Sequence, residues 1–279
     1  MICLPSGAKD GSICVWQKDK YEYQQTFRLG KKDDADCVIH ELCGVKQISA
    51  LFYTEGSLLV GTKGCEIVQI TLDNSNKHTS QQLLLSGHCD NELWGLACHP
   101  SKPEVCSVGD DKTLRFWDLR SRKQLEVVAL DAMARAVCYH PQPEQSVDQS
   151  LVAVGFGGRV GTSNAKGKLD GMVRVYLVDH EEGTKKVAEV KDPKRWMSDV
   201  RFSPDGKTLA VGGHDDAIYF YDVQLIKSGC KLKLRTKFSK HNSFITHIDF
   251  SADSKVLQSN CGAYELLFSD VHTGKQITK

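Results

Sequence analysis

The chain has 279 residues, with 36 Lys or Arg against 35 Asp or Glu, a formal net charge of +1, and 41% hydrophobic residues. This balance excludes a disordered chain and argues against a nucleic-acid binder, which needs an excess of basic residues. No apolar run reaches the roughly 20 residues that span a bilayer, and Met1–Gly7 lacks the pattern of a signal peptide. We therefore expect a soluble, unsecreted, cytoplasmic protein with no nucleic-acid or membrane partner.

Short apolar segments separated by Gly, Pro, Asp and Ser turns follow one another along the chain, which predicts strands rather than helices. A full unit has a first strand, an apolar second strand, a Gly/Asp turn, a third strand and a more polar fourth strand. No long amphipathic helix or heptad run occurs. The first strands of five units are ISALFY (48–53), LWGLACH (93–99), ARAVCYH (134–140), MSDVRFS (197–203) and THIDFS (246–251).

The units repeat. An apolar or aromatic residue ends the third strand at intervals of 45 to 59 residues, at Trp16, Ile70, Trp117, Tyr176, Tyr221 and Phe268. Six residues earlier, four units carry a blade-turn aspartate, and the other two carry Gly64 and Gly262. The four aspartates are Asp10, Asp111, Asp170 and Asp215.

Four short strands cannot bury both of their faces alone, so neighbouring units must stack radially, which predicts an all-β propeller. We expect one propeller segment over residues 1–279, with five substantial blades and a partial first one, as an unclosed fragment of a longer protein. The expected units are approximately 1–28 (partial), 47–85, 88–130, 133–190, 196–238 and 243–279.

The unit at 88–130 resembles a WD40 repeat, through Gly87-His88 and Trp117-Asp118. The resemblance implies a hydrogen-bonded structural tetrad of His88, Ser107, Asp111 and Trp117. We favour this stabilising role over a catalytic Ser-His-Asp arrangement, because Ser107 lies in an apolar strand and a nucleophilic serine must reach a cleft.

The chain contains three longer segments at 87–119, 198–223 and 243–268, and the first and third include the specific motifs ELWGLACHPSKP and SFITHIDFSADSK. In order and over nearly the whole chain, these segments resemble consecutive blades of the second propeller of the echinoderm microtubule-associated protein-like family. The resemblance implies a non-catalytic scaffold that binds tubulin or microtubules and other proteins through its loops, located on the cytoskeleton. We do not expect these 279 residues to contain that family's first propeller, or the amino-terminal coiled coil that some of its members use. The alternative is a generic WD40 adaptor without tubulin binding.

The sequence predicts no catalytic residues, no metal and no cofactor. Its 11 cysteines are scattered, odd in number and without a Cys-x-x-Cys motif, which favours free buried thiols. We do not interpret His88, Cys89, Cys98 and His99 as metal ligands. On strand-like backbone the two side chains of each adjacent pair, His88-Cys89 and Cys98-His99, would point in opposing directions. The glycine-rich stretch 155–171 fails as a phosphate-binding loop because Gly161 and Gly167 enclose five residues, so we interpret it as a mobile hairpin insertion that can contact a partner.

Basic residues alternate in the outer strand of the fifth unit, at Lys231, Lys233, Arg235 and Lys237. Period-two geometry predicts that all four lie on one face. They either protect an exposed sheet edge from aggregation or bind an acidic partner such as the surface of tubulin. Reversing Lys231, Lys233 and Lys237 to Glu is expected to weaken microtubule association if the second interpretation holds.

Overall fold

The computed structural model describes residues 3–17, 20–29, 37–39, 46–54, 56–73, 78–89, 92–141, 150–158 and 169–278. These ranges contain 23 strands in six sheets and no helix, so no helix there is long and apolar enough to cross a membrane. The structure divides into two compact units, Met1–Glu92 and Leu93–Lys279. The single propeller segment over residues 1–279 stays a prediction.

The first unit contains two sheets. In one, β1 to β3 are antiparallel and β4 pairs parallel to β3, an addition that the strand pattern does not predict. The other is an antiparallel meander of β5 to β8. The strands are β1 (Cys3–Gly7), β2 (Ser12–Gln17), β3 (Tyr23–Leu29), β4 (Cys37–Ile39), β5 (Ile48–Thr54), β6 (Ser57–Thr62), β7 (Glu66–Leu72) and β8 (His78–Ser86).

The second unit contains four antiparallel sheets, each formed by strands that pair in chain order. The strands are β9 (Leu93–Cys98), β10 (Glu104–Gly109), β11 (Thr113–Asp118), β12 (Lys123–Ala129), β13 (Ala134–Tyr139), β14 (Ser150–Phe156), β15 (Val173–Val178), β16 (Lys185–Val190), β17 (Met197–Phe202), β18 (Thr208–Gly213), β19 (Ile218–Ile226), β20 (Gly229–Phe238), β21 (Ile245–Phe250), β22 (Val256–Cys261) and β23 (Leu266–Asp270).

The sheets of the second unit pack face to face like successive blades. Their first strands, β9, β13, β17 and β21, lie side by side in chain order. One apolar cluster fills the space between each pair of neighbouring sheets; Phe116 and Phe156 belong to the first cluster, Val211 and Tyr221 to the second, and Phe220 to the third. Burying each such side chain contributes about 1.5–3 kcal/mol, so the contacts between sheets stabilise the unit.

The same turn joins the second and third strands in all six sheets. One residue of this turn has a positive φ. The residue five positions later lies on the third strand, at an equivalent position in every sheet. The positive-φ residues are Gly11, Cys65, Lys112, Gly171, Asp216 and Tyr264, with φ between 59° and 86°. The positions five residues later are Trp16, Ile70, Trp117, Tyr176, Tyr221 and Ser269, which pair with Leu4, Leu58, Val105, Val152, Leu209 and Leu257.

The last blade corrects the sequence prediction by one residue. In the third strand of that blade, Ser269 occupies the position equivalent to Trp117 and is fully buried, whereas Phe268 is 40% exposed. The matching turn residue before Tyr264 is Ala263 rather than Gly262. A shift of one residue exchanges the two faces of a strand, so the aromatic ring of Phe268 points away from the position that Trp117 occupies in its own blade.

Candidate functional site

One end of the second unit carries a continuous row of stacked side chains, which we call the aromatic row: Trp94, Arg135, Trp196, His214 and Phe244. The Arg135 guanidinium lies 4.0 Å from the centroid of the Trp94 ring and 4.9 Å from that of Trp196. The Trp196 and His214 ring centroids are 3.9 Å apart, and those of His214 and Phe244 are 4.5 Å apart with only 8° between their planes.

The blade arrangement explains how residues so far apart in the chain form one row. Trp94 and Arg135 are the second residues of β9 and β13, and Trp196 and Phe244 immediately precede β17 and β21. Because these first strands lie side by side, their starting ends meet at one edge of the unit. His214 follows β18 directly and fills the space between the rings of Trp196 and Phe244.

An ion pair and close backbone contacts hold Arg135 between Trp94 and Trp196. Its Nη2 lies 3.0 Å from Asp110 Oδ1, and both side chains are almost fully buried. A Cβ atom on Gly158 would stand 2.8 Å from the Arg135 guanidinium, and one on Gly157 would stand 2.3 Å from Trp196 Cβ. The start of the glycine-rich stretch is therefore needed for packing against the row. Residues 159–168 of that stretch lie outside the described residues.

The two ends of the row are accessible. Trp94 is 47% exposed and Phe244 is 39% exposed, and Leu93 and Leu96 on β9 are more than half exposed. Large aromatic side chains held rigidly at a surface, with arginine among them, are typical of protein contact sites. The row can therefore present a preorganised apolar and cationic surface to another protein.

The basic strand β20 differs from the sequence prediction. Tyr219 pairs with Lys237, Phe220 with Thr236 and Tyr221 with Leu234, so a bulge at Arg235 interrupts the alternation. Lys237 consequently lies on the opposite face from Lys231 and Lys233, with its ammonium group 4.8 Å from the Tyr219 ring centroid. The expectation that all four basic residues share one face is wrong for this reason.

The Arg235 guanidinium is hydrogen-bonded within the fold. It donates to Asp222 Oδ1 at 2.6 Å, to the Val271 carbonyl at 2.9 Å and to Thr208 Oγ1 at 3.2 Å. Lys231 and Lys233 are exposed. The basic face available to a partner is therefore the pair Lys231 and Lys233.

The tetrad residues of the WD40-like unit are distributed over the two units. Trp117 Nε1 donates to Ser107 Oγ at 2.8 Å, and Ser107 is buried, as the stabilising interpretation requires. Asp111 Oδ1 accepts from the backbone N–H of Thr113 at 3.2 Å and from its hydroxyl at 2.9 Å. His88 belongs to the first unit. Its place in the tetrad stays a prediction.

The other blade-turn aspartates accept hydrogen bonds within their own blades. Asp10 accepts from the Ser12 backbone N–H at 2.9 Å, and Asp170 from that of Gly158 at 3.4 Å. Asp215 accepts from the Lys194 N–H at 2.9 Å and from the Tyr219 hydroxyl at 2.7 Å. These carboxylates fix turns, and each is placed for a structural role.

His99 is also placed structurally. Its Nδ1 accepts from the backbone N–H groups of Ser101 and Lys102, at 3.1 Å and 2.9 Å, so its Nε2 must carry the proton that it shares with Ser150 Oγ at 2.7 Å. Neither nitrogen has a lone pair left for a metal ion.

A polar network joins the sheet β9–β12 to the hairpin of β15 and β16. His180 Nε2 lies 3.1 Å from Glu104 Oε2, and its Nδ1 lies 3.0 Å from Glu126 Oε2. The Tyr139 hydroxyl donates to Glu104 Oε1 at 2.7 Å. The hydrogen bond to Glu104 raises the pKa of His180 above 6.5, although burial acts in the opposite direction. The network is a charged structural link between two blades.

Sequence reasoning missed the aromatic row and a cluster of His241, Cys261 and Glu265 in the last blade. The repeat carries a partial signal, for four residues of the row and for His241 of the cluster. Trp94, Arg135, Trp196 and Phe244 fall at the start of the first strand of successive units, and His241 precedes β21 as His88 precedes β9. Aligning the units by their first strands, instead of by their third, would have grouped these residues.

A family model and the curated relatives agree on one family. A model of the echinoderm microtubule-associated protein second β-propeller matches residues 93–279, which is the whole second unit. Echinoderm microtubule-associated protein-like 2 of Rattus norvegicus is 36% identical over 278 residues, covering 99% of this chain and 36% of the relative. The 77 kDa echinoderm microtubule-associated protein of Strongylocentrotus purpuratus is 33% identical over 277 residues, covering 98% of this chain and 34% of the relative.

The chain thus spans about a third of the length of these curated relatives. Among solved structures, a chain of the crystal structure of the mitotic checkpoint complex is similar with a TM-score of 0.52 and 19% identity, covering 97% of this chain and 71% of that chain. At this identity the likeness concerns the fold alone. Together with the six sheets, the family match confirms the predicted all-β, WD40-type propeller fold.

Proposed function

Because the chain belongs to the echinoderm microtubule-associated protein family, we propose that it is a non-catalytic propeller scaffold that binds tubulin or the microtubule lattice. Its place in the cell is then the cytoplasm, on microtubules. The observation that carries the proposal is the identity of 36% over nearly the whole chain with a microtubule-associated protein.

The exposed lysine pair on β20 supports a contact with an acidic surface. Lys231 and Lys233 occupy one face of the strand at the edge of the sheet β17–β20, in line with Gln224 and Asp222 of β19. Asp222 is neutralised by Arg235 at 2.6 Å, so it does not cancel the lysine charges. A face with two uncompensated ammonium groups attracts an acidic polymer, and salt screens that attraction.

Co-sedimentation with microtubules over a salt series tests the proposal. The chain is expected to pellet at low salt and to be released as the salt concentration rises. The double variant Lys231→Glu/Lys233→Glu should bind about tenfold more weakly, since reversal of two exposed charges changes the interaction by about 1–2 kcal/mol. Circular dichroism and gel filtration establish first that each protein is folded and monodisperse.

The bulge at Arg235 provides a matched control. Lys237→Glu/Lys240→Glu carries the same change in net charge, and Lys237 lies on the opposite face of the same strand. If both double variants lose affinity equally, net charge rather than the face of Lys231 and Lys233 governs binding. If the folded wild-type chain stays in the supernatant at every salt concentration, the proposal of tubulin binding is wrong.

A second candidate function is an adaptor that holds another protein at the aromatic row, without tubulin. The exposed Trp94 and Phe244, together with Leu93 and Leu96, favour it. Trp94→Ala/Phe244→Ala separates the two functions, because a microtubule contact through β20 should survive this change, whereas a contact through the row should not. Loss of microtubule pelleting in this variant would indicate that tubulin contacts the aromatic row and not β20.

A further inference from the structure

We propose that His241, Cys261 and Glu265 bind a divalent cation of the zinc class. His241 lies between β20 and β21, Cys261 is the last residue of β22, and Glu265 immediately precedes β23. One nitrogen, the sulfur and one carboxylate oxygen of these three residues all lie within 4.8 Å of one another. The proposal concerns the second unit alone and does not depend on microtubule binding.

An incompletely bonded histidine nitrogen points to the ligand. The His241 side chain is fully buried, and its Nε2 is hydrogen-bonded to Ser259 Oγ at 2.7 Å. Its Nδ1 is buried without a hydrogen-bond partner and faces Glu265 Oε2 across 3.5 Å. Leaving a buried polar nitrogen unpaired is costly, and a metal ion between Nδ1 and the carboxylate removes that cost.

The distances suit tetrahedral coordination. Bonds of about 2.3 Å to sulfur and 2.0–2.2 Å to nitrogen and oxygen place the ligand atoms of zinc about 3.3–3.6 Å apart. Cys261 Sγ lies 3.2 Å from Glu265 Oε2, and His241 Nδ1 lies 3.5 Å from the same oxygen. Two of the three ligand pairs therefore already have separations close to those of a tetrahedral site, and the third pair lies within 4.8 Å.

Binding of the metal ion displaces the proton of the Cys261 thiol. The Cys261 thiol, which donates to Glu265 in the ion-free protein, releases its proton to solvent, and its sulfur bonds to the metal. The imidazole and the carboxylate supply the second and third ligands. Because the Glu265 side chain is 27% exposed, water reaches the fourth position. The combination of thiolate and imidazole favours zinc over magnesium or calcium.

Neighbouring groups orient two of the three ligands. Ser259 Oγ fixes the imidazole through Nε2, which leaves Nδ1 directed at the other ligands. The Asn242 backbone N–H donates to Glu265 Oε2 at 2.9 Å, and the Asn242 side chain donates to Oε1. Metal sites use such outer partners to hold ligand geometry. Blade stabilisation explains the bond between His241 and Ser259 and the bonds between Asn242 and Glu265, but it does not require a thiol at Cys261.

Metal titration of the full chain tests the proposal. Chelator-treated protein is titrated with zinc in competition with a chromogenic chelator, and with cobalt, whose thiolate complex has a charge-transfer absorption band. The wild-type chain should bind one equivalent with high affinity and show the thiolate band. Cys261→Ser should lose the band and more than about 100-fold in zinc affinity, since even outer partners are worth about 10–100-fold.

Two further variants address folding and adventitious binding. Glu265→Gln preserves an acceptor for Asn242 and should also lose affinity, while Ser259→Ala should lose about 10–100-fold. Cys98→Ser, which removes an exposed free thiol elsewhere in the second unit, should bind like the wild type. The proposal is overturned if wild-type protein binds no zinc, if Cys261→Ser keeps the cobalt thiolate band, or if Cys98→Ser alone abolishes it.

Discussion

Ser107 accepts the indole hydrogen of Trp117 at 2.8 Å, across neighbouring strands of one sheet. Trp16 makes the same bond to Ser6 at 3.0 Å, with the same ten-residue spacing. Ser107→Ala removes the acceptor and leaves an indole N–H unpaired, so we expect a loss of about 1–3 kcal/mol in the free energy of unfolding. Urea denaturation measures it, and the exposed Ser101→Ala serves as control. Equal stability of the two variants would contradict a structural role for the bond.

The stability of the second unit should depend on pH through His180. Its hydrogen bond to Glu104 raises its folded-state pKa above 6.5, so protonated His180 stabilises the fold. That stabilisation is complete below pH 6.5 and disappears as the pH rises through the folded-state pKa. His180→Gln should therefore be less stable than the wild type at acidic pH, with a difference that shrinks at alkaline pH. Denaturation across this pH range, with exposed His272→Gln as control, gives the answer; a difference that does not vary with pH excludes this mechanism.

Two glycines with similar backbone angles should respond differently to alanine. Gly171 has a φ of 79°, and a Cβ atom there would lie 1.9 Å from the Pro193 carbonyl oxygen. Gly183 has a φ of 87° and open space around it. We expect Gly183→Ala to cost about 1 kcal/mol from backbone strain, and Gly171→Ala about 2–5 kcal/mol because a clash is added. Equal melting temperatures would show that the turn at Gly171 relaxes freely.

The buried pair of Asp110 and Arg135 should be sensitive to the loss of one partner. Asp110→Ala leaves a buried guanidinium without its carboxylate, which typically costs about 3–5 kcal/mol. Asp110→Ala/Arg135→Met should be less destabilised than the sum of the two single variants, and a double-mutant cycle measures this coupling. The exposed pair of Glu182 and Lys185 is the control, and Glu182→Ala should change stability little. Strict additivity at 110 and 135 would refute the coupling.

The succession of strands was predictable because alternating apolar residues and Gly/Asp turns are local signals. The residue of the last blade that is equivalent to Trp117 was not predictable, since its position depends on backbone conformation and not on residue type. Tyr264 adopts the positive φ that glycine adopts at Gly11 and Gly171, and nothing in a tyrosine indicates this. Matching aromatic residues therefore selected Phe268 in place of Ser269.

The candidate sites were harder to predict because they depend on register and tertiary contacts. A bulge places Arg235 against Asp222 and moves Lys237 to the other face, and alternation in the sequence carries no sign of it. Arg135 reaches Trp94 and Trp196 through the packing of three first strands. Contacts of this kind arise from the blade arrangement and have no short-range sequence pattern.

The aromatic row also makes this end of the molecule visible to fluorescence. The chain has four tryptophans, and two of them, Trp94 and Trp196, lie on either side of Arg135. Replacing Trp16 and Trp117 with phenylalanine would leave an emission spectrum that originates from the row alone. A cation against an indole ring perturbs its excited state. Any ligand that covers Trp94 or displaces Arg135 would therefore change the tryptophan emission, so its binding could be measured without an added dye.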